Sequence, residues 1–123
     1  MLRSIGAVAA GYIIFGGSAA LLFQLSGHAP HEQAPTAFKI ASIVWGAVFA
    51  LVAGWLTARV AGRKPATHAA VVAGLIALSA IVSLAARPAD AIWSQIAALV
   101  VMAPCALAGG AVARTAPPPG SDT

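Results

Sequence analysis

Residues 40–58 read IASIVWGAVFALVAGWLTA, an apolar stretch of 19 residues that contains no charged side chain. Three further stretches, residues 5–25, 67–86 and 91–113, have the same character. A helix of roughly 20 apolar residues crosses a hydrocarbon core of about 30 Å. Helices also satisfy their own backbone hydrogen bonds in lipid, whereas an isolated strand does not. The sequence therefore predicts an all-α integral membrane protein with helices at about 4–25, 38–60, 67–86 and 90–113.

The composition agrees with a chain whose main solvent is lipid. Of its 123 residues, 60% are hydrophobic and only 8% are charged, whereas soluble domains carry about 25% charged residues. An alternative for the first stretch is a cleaved signal peptide, with Gly27 and Ala29 near the cleavage point. Its 21 apolar residues exceed the usual signal core of roughly 7–15 residues. We therefore expect it to remain as the first helix.

Short connections join the four stretches, over residues 26–39, 61–66 and 87–90. Short links make consecutive helices antiparallel neighbours, as in an up-down four-helix bundle. The bundle is expected over residues 1–114. Residues 115–123 contain three consecutive prolines and are predicted to form a disordered tail, because proline cannot continue a helix.

The positive charges predict the orientation of the bundle. Lys and Arg accumulate in the cytoplasmic loops of membrane proteins. Lys39 and Arg87 lie on the side opposite the termini, and five cations lie on the side of the termini: Arg3, Arg59, Arg63, Lys64 and Arg114. This split predicts that both termini are cytoplasmic.

Small residues predict where the helices pack. Gly46, Ala50, Gly54 and Ala58 recur at every fourth position of the second helix, and small residues let helix backbones approach closely in lipid. We call these four residues the small-residue stripe and predict that it faces other helices. Shorter pairs with the same spacing occur in the other helices: Gly6 and Ala10, Gly16 and Ala20, Ala70 and Gly74, and Ala106 and Gly110.

Two segments that end helices resemble each other. Residues 53–61 read AGWLTARVA and residues 108–116 read AGGAVARTA, with five of nine positions identical. One interpretation is a pair of repeated parallel hairpins related by an axis along the membrane normal. The other is convergence of alanine-rich helix ends that each need an interfacial arginine.

Few side chains offer chemistry, and we predict no catalytic residue, no cofactor and no enzymatic activity. His28, His31 and Glu32 are candidate metal ligands, but Pro35 stands where a zincin motif needs its second histidine. We therefore expect a loop without bound metal. The helix centres lack the ionisable groups that a proton-coupled transporter requires. Pro104 is expected to kink the fourth helix.

The second loop forms a basic collar, which consists of Arg59, Arg63, Lys64 and His68. It predicts contact with anionic phospholipid headgroups, or docking of an anionic partner or ligand. Because the basic residues lie at the ends of apolar runs, nucleic acid is not an expected partner. The remaining expected partners are the bilayer itself, further copies of the chain, or another membrane protein.

Residues 54–69, GWLTARVAGRKPATHA, resemble the central loop of small four-helix bacterial membrane proteins of no known activity. The resemblance implies a bacterial inner-membrane location. The hypothesis for function is a non-enzymatic structural or accessory subunit, or a homo-oligomer, that acts through helix packing. The alternative is a small channel or passive transporter formed between subunits, which is suggested by polar residues in the outer halves of the helices: Gln24, Ser79, Ser83 and Gln95.

Overall fold

A computed structural model of the chain describes residues 1–27, 35–86 and 92–115. These residues form four helices, which are α1 (Leu2–Ser26), α2 (Thr36–Ala61), α3 (Pro65–Ala86) and α4, which begins at Trp93 and ends at Thr115. Each of the four is long and apolar enough to cross a membrane. The prediction of an all-helical chain with four such helices is confirmed.

The helix ends differ slightly from the predicted bounds. The first three helices begin two residues earlier than expected because helical hydrogen bonding continues beyond the apolar core. Gly27 and Gly62 end α1 and α2 with φ of 75° and 73°, the left-handed conformation that glycine adopts most easily at a helix C-terminus. Helix α4 begins at Trp93 rather than at about residue 90, and it includes Thr115, which we assigned to the tail. Residues 116–123 lie outside the described part.

Helix α4 contains a wider turn in its first half. An α-helical segment (Trp93–Ala97) is followed by a π-helical segment (Ala98–Met102) and a second α-helical segment (Ala103–Thr115). Within the π turn, the Ala103 N–H donates to the Ala98 carbonyl five residues earlier. Pro104 follows directly, and its ring would clash with the carbonyl four residues before it in a regular helix. The wider turn makes room for the proline.

The closest helix pair is not consecutive in the chain. Helix α2 packs most extensively against α4, and it also packs against α1 and α3. Helix α3 contacts the other three, whereas the backbones of α1 and α4 do not contact each other. Consecutive helices are antiparallel, so α2 and α4 run parallel. The bundle is therefore a rhombus with α2 and α3 on its short diagonal.

Small residues form most of the interior, together with Val72 and Ile76, and many large apolar residues lie on the surface. Ala50, Ala53 and Ala106 are fully buried. Outside, Ile13 is 67% exposed and Val100 is 69% exposed. A soluble protein has the opposite distribution, because large apolar side chains give its core most of its stability.

Candidate functional site

The helices α2 and α4 meet backbone against backbone at two glycines. A Cβ placed on Gly54 would overlap the Ala106 carbonyl oxygen and lie 2.7 Å from its carbonyl carbon. A Cβ on Gly109 would overlap the Leu51 carbonyl oxygen and lie 2.9 Å from its carbon. Neither position has room for any side chain. Close approach of this kind is how helices gain van der Waals contact in lipid, where no hydrophobic force drives them together.

These two contacts are related by a local two-fold symmetry. Gly54 and Gly109 are equivalent positions of the two similar segments, residues 53–61 and 108–116. Each glycine packs on the carbonyl of the residue three positions before the other glycine, which is Ala106 for Gly54 and Leu51 for Gly109. The symmetry holds at this crossing and not beyond it, because the backbones of α3 and α2 contact each other whereas those of α1 and α4 do not.

The structure buries all four residues of the small-residue stripe. Gly46 packs against the side chain of Met102, and Gly54 packs against the backbone of Ala106. On α4, Gly110 packs against the Ala69 side chain. The short pairs of α1 and α3 are placed differently. A Cβ added at Gly6, Gly16 or Gly74 would have no atom within 4 Å, and these glycines face outward.

Hydrogen bonds connect α1 to α2. The Thr57 hydroxyl donates to the Ala7 carbonyl over 3.1 Å in a fully buried position, and Gly11 leaves the space that this hydroxyl occupies. Near the other end of the pair, Trp45 Nε1 donates to the Ser18 carbonyl over 3.1 Å. Thr57 was not predicted as a contact residue, because a threonine in an apolar run gives no indication of its hydrogen-bond partner.

Three of the four polar residues that suggested a channel bond between helices. Gln95 Nε2 donates to Ser83 Oγ over 3.0 Å, which links α4 to α3. The Ser79 hydroxyl bonds to the Tyr12 hydroxyl, which links α3 to α1. Gln24 is exposed. Within the described ranges, every buried side-chain nitrogen and oxygen has a hydrogen-bond partner.

Hydrogen bonds fix the backbone of the turn between α2 and α3, from which Arg63 and Lys64 extend. Lys64 has a φ of 47°, a left-handed conformation that costs a non-glycine residue roughly 1–2 kcal/mol. Its carbonyl bonds to the N–H groups of Thr67 (3.1 Å) and His68 (3.2 Å), and to His68 Nδ1 at 2.9 Å. These bonds hold the strained residue in place at the start of α3.

Arg3 joins this turn from the first turn of α1. Its Nε donates to the Val60 carbonyl over 2.6 Å, and its guanidinium lies over Gly62, where a Cβ would come within 2.9 Å of one Nη atom. Arg3, Arg63, Lys64 and His68 surround an open cleft of about 730 Å³, which we call the basic cleft. Arg3 contributed only to the predicted orientation of the bundle, because no local pattern predicts a contact between residues 57 positions apart.

The remaining member of the basic collar points elsewhere. Arg59 lies over the Trp55 ring, 5.7 Å from its centroid, and does not line the basic cleft. The part of the chain that the structure describes contains no Asp or Glu, since Glu32, Asp90 and Asp122 fall outside it. No side-chain carboxylate from the described residues therefore neutralises the cleft.

The opposite end of the bundle is aromatic. The rings of Phe23, Phe38 and Trp93 lie 6.0–6.4 Å apart, and Lys39 Nζ lies 6.0 Å from the Trp93 centroid. The candidate metal ligands His28, His31 and Glu32 lie outside the described residues. The expectation of an unmetallated loop there stays a prediction.

No protein-family model, no curated protein and no solved structure matches the chain. The resemblance of residues 54–69 to small bacterial membrane proteins therefore stays a prediction.

Proposed function

We propose that this chain is a multi-pass protein of the bacterial inner membrane with both termini in the cytoplasm. It acts without catalysis, as a homo-oligomer or as an accessory subunit of another membrane protein. Two features support the membrane location, which are the large apolar residues on the surface and the concentration of cations at the end that carries Arg3 and Arg63. Cytoplasmic loops are enriched in such cations.

The observation that carries the proposed role is the outward face of α1. Gly6, Ile13, Gly17 and Ala20 are exposed, and their spacing of three, four and seven residues places them on one side of the helix. No atom lies within 4 Å of a Cβ position at Gly6 or Gly17. A glycine inside a helix costs about 1 kcal/mol relative to alanine, and nothing within the bundle compensates this cost.

A helix from another subunit compensates it. At the α2–α4 crossing, glycines of this kind allow backbone contact inside the chain. The outward face of α1 offers the same close approach to a neighbour, which is a second copy or a different membrane protein. The channel alternative needs a polar lining, and the buried polar side chains of the described residues are already bonded.

Gly17→Leu tests the proposal. Gly74→Leu on α3 is the control, because Gly74 is the single glycine of that helix and lies between the exposed side chains of Val71 and Leu78. Both glycines have open space around them, so neither variant is expected to disturb the fold. Labelled protein in liposomes is counted by single-molecule photobleaching over a range of protein-to-lipid ratios. We expect wild type and Gly74→Leu to associate and Gly17→Leu to shift toward monomers.

Purification from the native host in mild detergent tests the accessory form of the proposal. A second membrane protein that is retained by wild type and lost from Gly17→Leu would identify the partner. A chain that is monomeric at every ratio and is purified alone would contradict the proposed role. Saturable solute flux in proteoliposomes would instead support the channel.

A further inference from the structure

The basic cleft continues into a second cavity of different character. A groove of about 450 Å³ runs between α1 and α3, and its walls include Val8, Tyr12 and Leu75. The cleft and the groove share Ser4, Ile5 and His68. The two cavities therefore adjoin, and together they make a depression with a cationic end and an apolar body.

We propose that this depression binds one anionic phospholipid, with the phosphate-bearing headgroup in the basic cleft and an acyl chain in the groove. Arginine has five N–H donors. Arg3 uses Nε on the Val60 carbonyl, so its Nη groups remain to face an anion. Arg63 and Lys64 line the same cleft. Guanidinium and ammonium groups are the side chains that bind phosphate most strongly.

The groove is long enough for the part of an acyl chain nearest the headgroup, since a full chain spans about half of a hydrocarbon core of about 30 Å. It extends along α1 from Ile5 to Tyr12, which corresponds to about 10 Å at 1.5 Å per residue. It begins beside the headgroup cleft and follows the helix axis toward the centre of the bundle. The Tyr12–Ser79 hydroxyl pair lies at its inner end. An acyl chain extends in this direction from its headgroup. The headgroup of one lipid therefore lies in the basic cleft while its chain lies in the groove.

The backbone of the cationic end and the Arg3 side chain are arranged before any ligand binds. Three contacts to the Lys64 carbonyl fix the backbone from which its ammonium extends, and the Arg3 guanidinium is held on the Val60 carbonyl. Pre-organised groups lose less conformational entropy on binding. The site rests on the proposed membrane location and does not depend on association through α1, whose proposed face lies at Gly6, Ile13, Gly17 and Ala20.

A free phosphate anion has the same headgroup chemistry, and the groove favours the lipid. The test uses native mass spectrometry of the purified full chain in neutral detergent, with phosphatidylglycerol, phosphatidylcholine or glycerol phosphate as the probe. We expect retention of phosphatidylglycerol, with weaker binding of the zwitterionic lipid and of the chain-free phosphate.

Two variant pairs locate the site. Arg63→Gln removes a cleft cation and should weaken phosphatidylglycerol binding about fivefold, whereas Arg114→Gln removes a cation from the last turn of α4, outside the cleft, and should not. Ala9→Phe fills the groove and should weaken binding, whereas Ala41→Phe on the exposed first part of α2, outside the cleft, the groove and the association face, should not. Lys64→Gly should weaken binding without unfolding, because glycine adopts the left-handed conformation without strain.

Three results would overturn the proposal. Equal binding of phosphatidylglycerol and phosphatidylcholine would show that the cleft does not select an anionic headgroup. Equal binding of glycerol phosphate and phosphatidylglycerol would show that the groove does not bind an acyl chain. Equal losses in Arg63→Gln and Arg114→Gln would reduce the effect to general attraction between a basic surface and anionic lipid.

Discussion

Gly54→Ala tests the close crossing of α2 and α4 with the smallest possible side chain. The added methyl would lie 2.7 Å from the carbonyl carbon of Ala106 and closer still to its oxygen, and these are backbone atoms that cannot rotate away. Ordinary van der Waals contact begins at 3.4 Å. The carbon alone requires the two helices to separate by about 0.7 Å at the crossing, and the closer oxygen requires more.

The separation sets the size of the effect. A gap of 0.5–1 Å forfeits roughly a quarter to a half of the dispersion energy of each atom pair, and overpacking typically costs about 1–3 kcal/mol. Alanine is the better helix former and returns up to about 1 kcal/mol. We therefore expect Gly54→Ala to lower the free energy of unfolding by about 1–2 kcal/mol. At Gly74, where a Cβ meets open space, Gly74→Ala should raise it by about 0.5–1 kcal/mol.

Equilibrium unfolding in mixed detergent micelles, followed by circular dichroism, measures both variants. The same substitution in two helices should give opposite signs, so a general effect of detergent on glycine variants cannot produce the result. If Gly54→Ala is as stable as wild type or more stable, the backbones of α2 and α4 do not meet as described.

Further predictions concern the same crossing, the α1–α2 bond and the orientation. The double variant Gly54→Ala with Gly109→Ala should lose less free energy of unfolding than the sum of the two single variants, because the first substitution already separates the helices. Strict additivity in the unfolding assay would contradict a shared crossing. Thr57→Val removes the hydrogen bond to Ala7 and should lower the free energy of unfolding by about 0.5–1.5 kcal/mol. Thr57→Ser keeps a hydroxyl and should retain most of this stability in the same measurement. Alkaline phosphatase fused after Thr123 should be inactive, and an active fusion would place the C-terminus in the periplasm.

Hydropathy predicted the number and type of the helices well. Each apolar run is long enough to act alone, so local composition determines the helix wherever its neighbours lie. The ends were less accurate, because helix termination depends on single residues such as Gly62, whose left-handed φ ends α2, and on the π turn that precedes Pro104.

The neighbours of each helix were harder to predict. The short connections predicted that consecutive helices are neighbours, yet the most extensive contact joins α2 to α4. Small residues at every fourth position mark a face that permits close approach, and they do not identify what the face meets. The small-residue stripe of α2 lies inside, whereas Gly6 and Gly16 of α1 lie outside. The distinction depends on the assembled bundle.

The basic cleft was predicted only in part for a similar reason. Arg63, Lys64 and His68 are near in sequence, and the collar contained them. Arg3 reaches the cleft because α1 is antiparallel to α2, which brings the first turn of one helix to the last turn of the other. Arg59 is one turn from Trp55 and lies over that ring instead.

The paired glycines of α2 and α4 give each half of the chain a self-complementary surface. Gly54 faces the position equivalent to Leu51, and Gly109 faces the position equivalent to Ala106, which is the reciprocal pattern of a two-fold symmetric dimer. The hairpin of α1 and α2 contains both Gly54 and the Leu51 carbonyl, so two copies of it supply both glycine–carbonyl contacts of the crossing. Residues 1–62, expressed as a fragment, should therefore dimerise through Gly54, and addition of the other half should displace one copy and restore the four-helix chain.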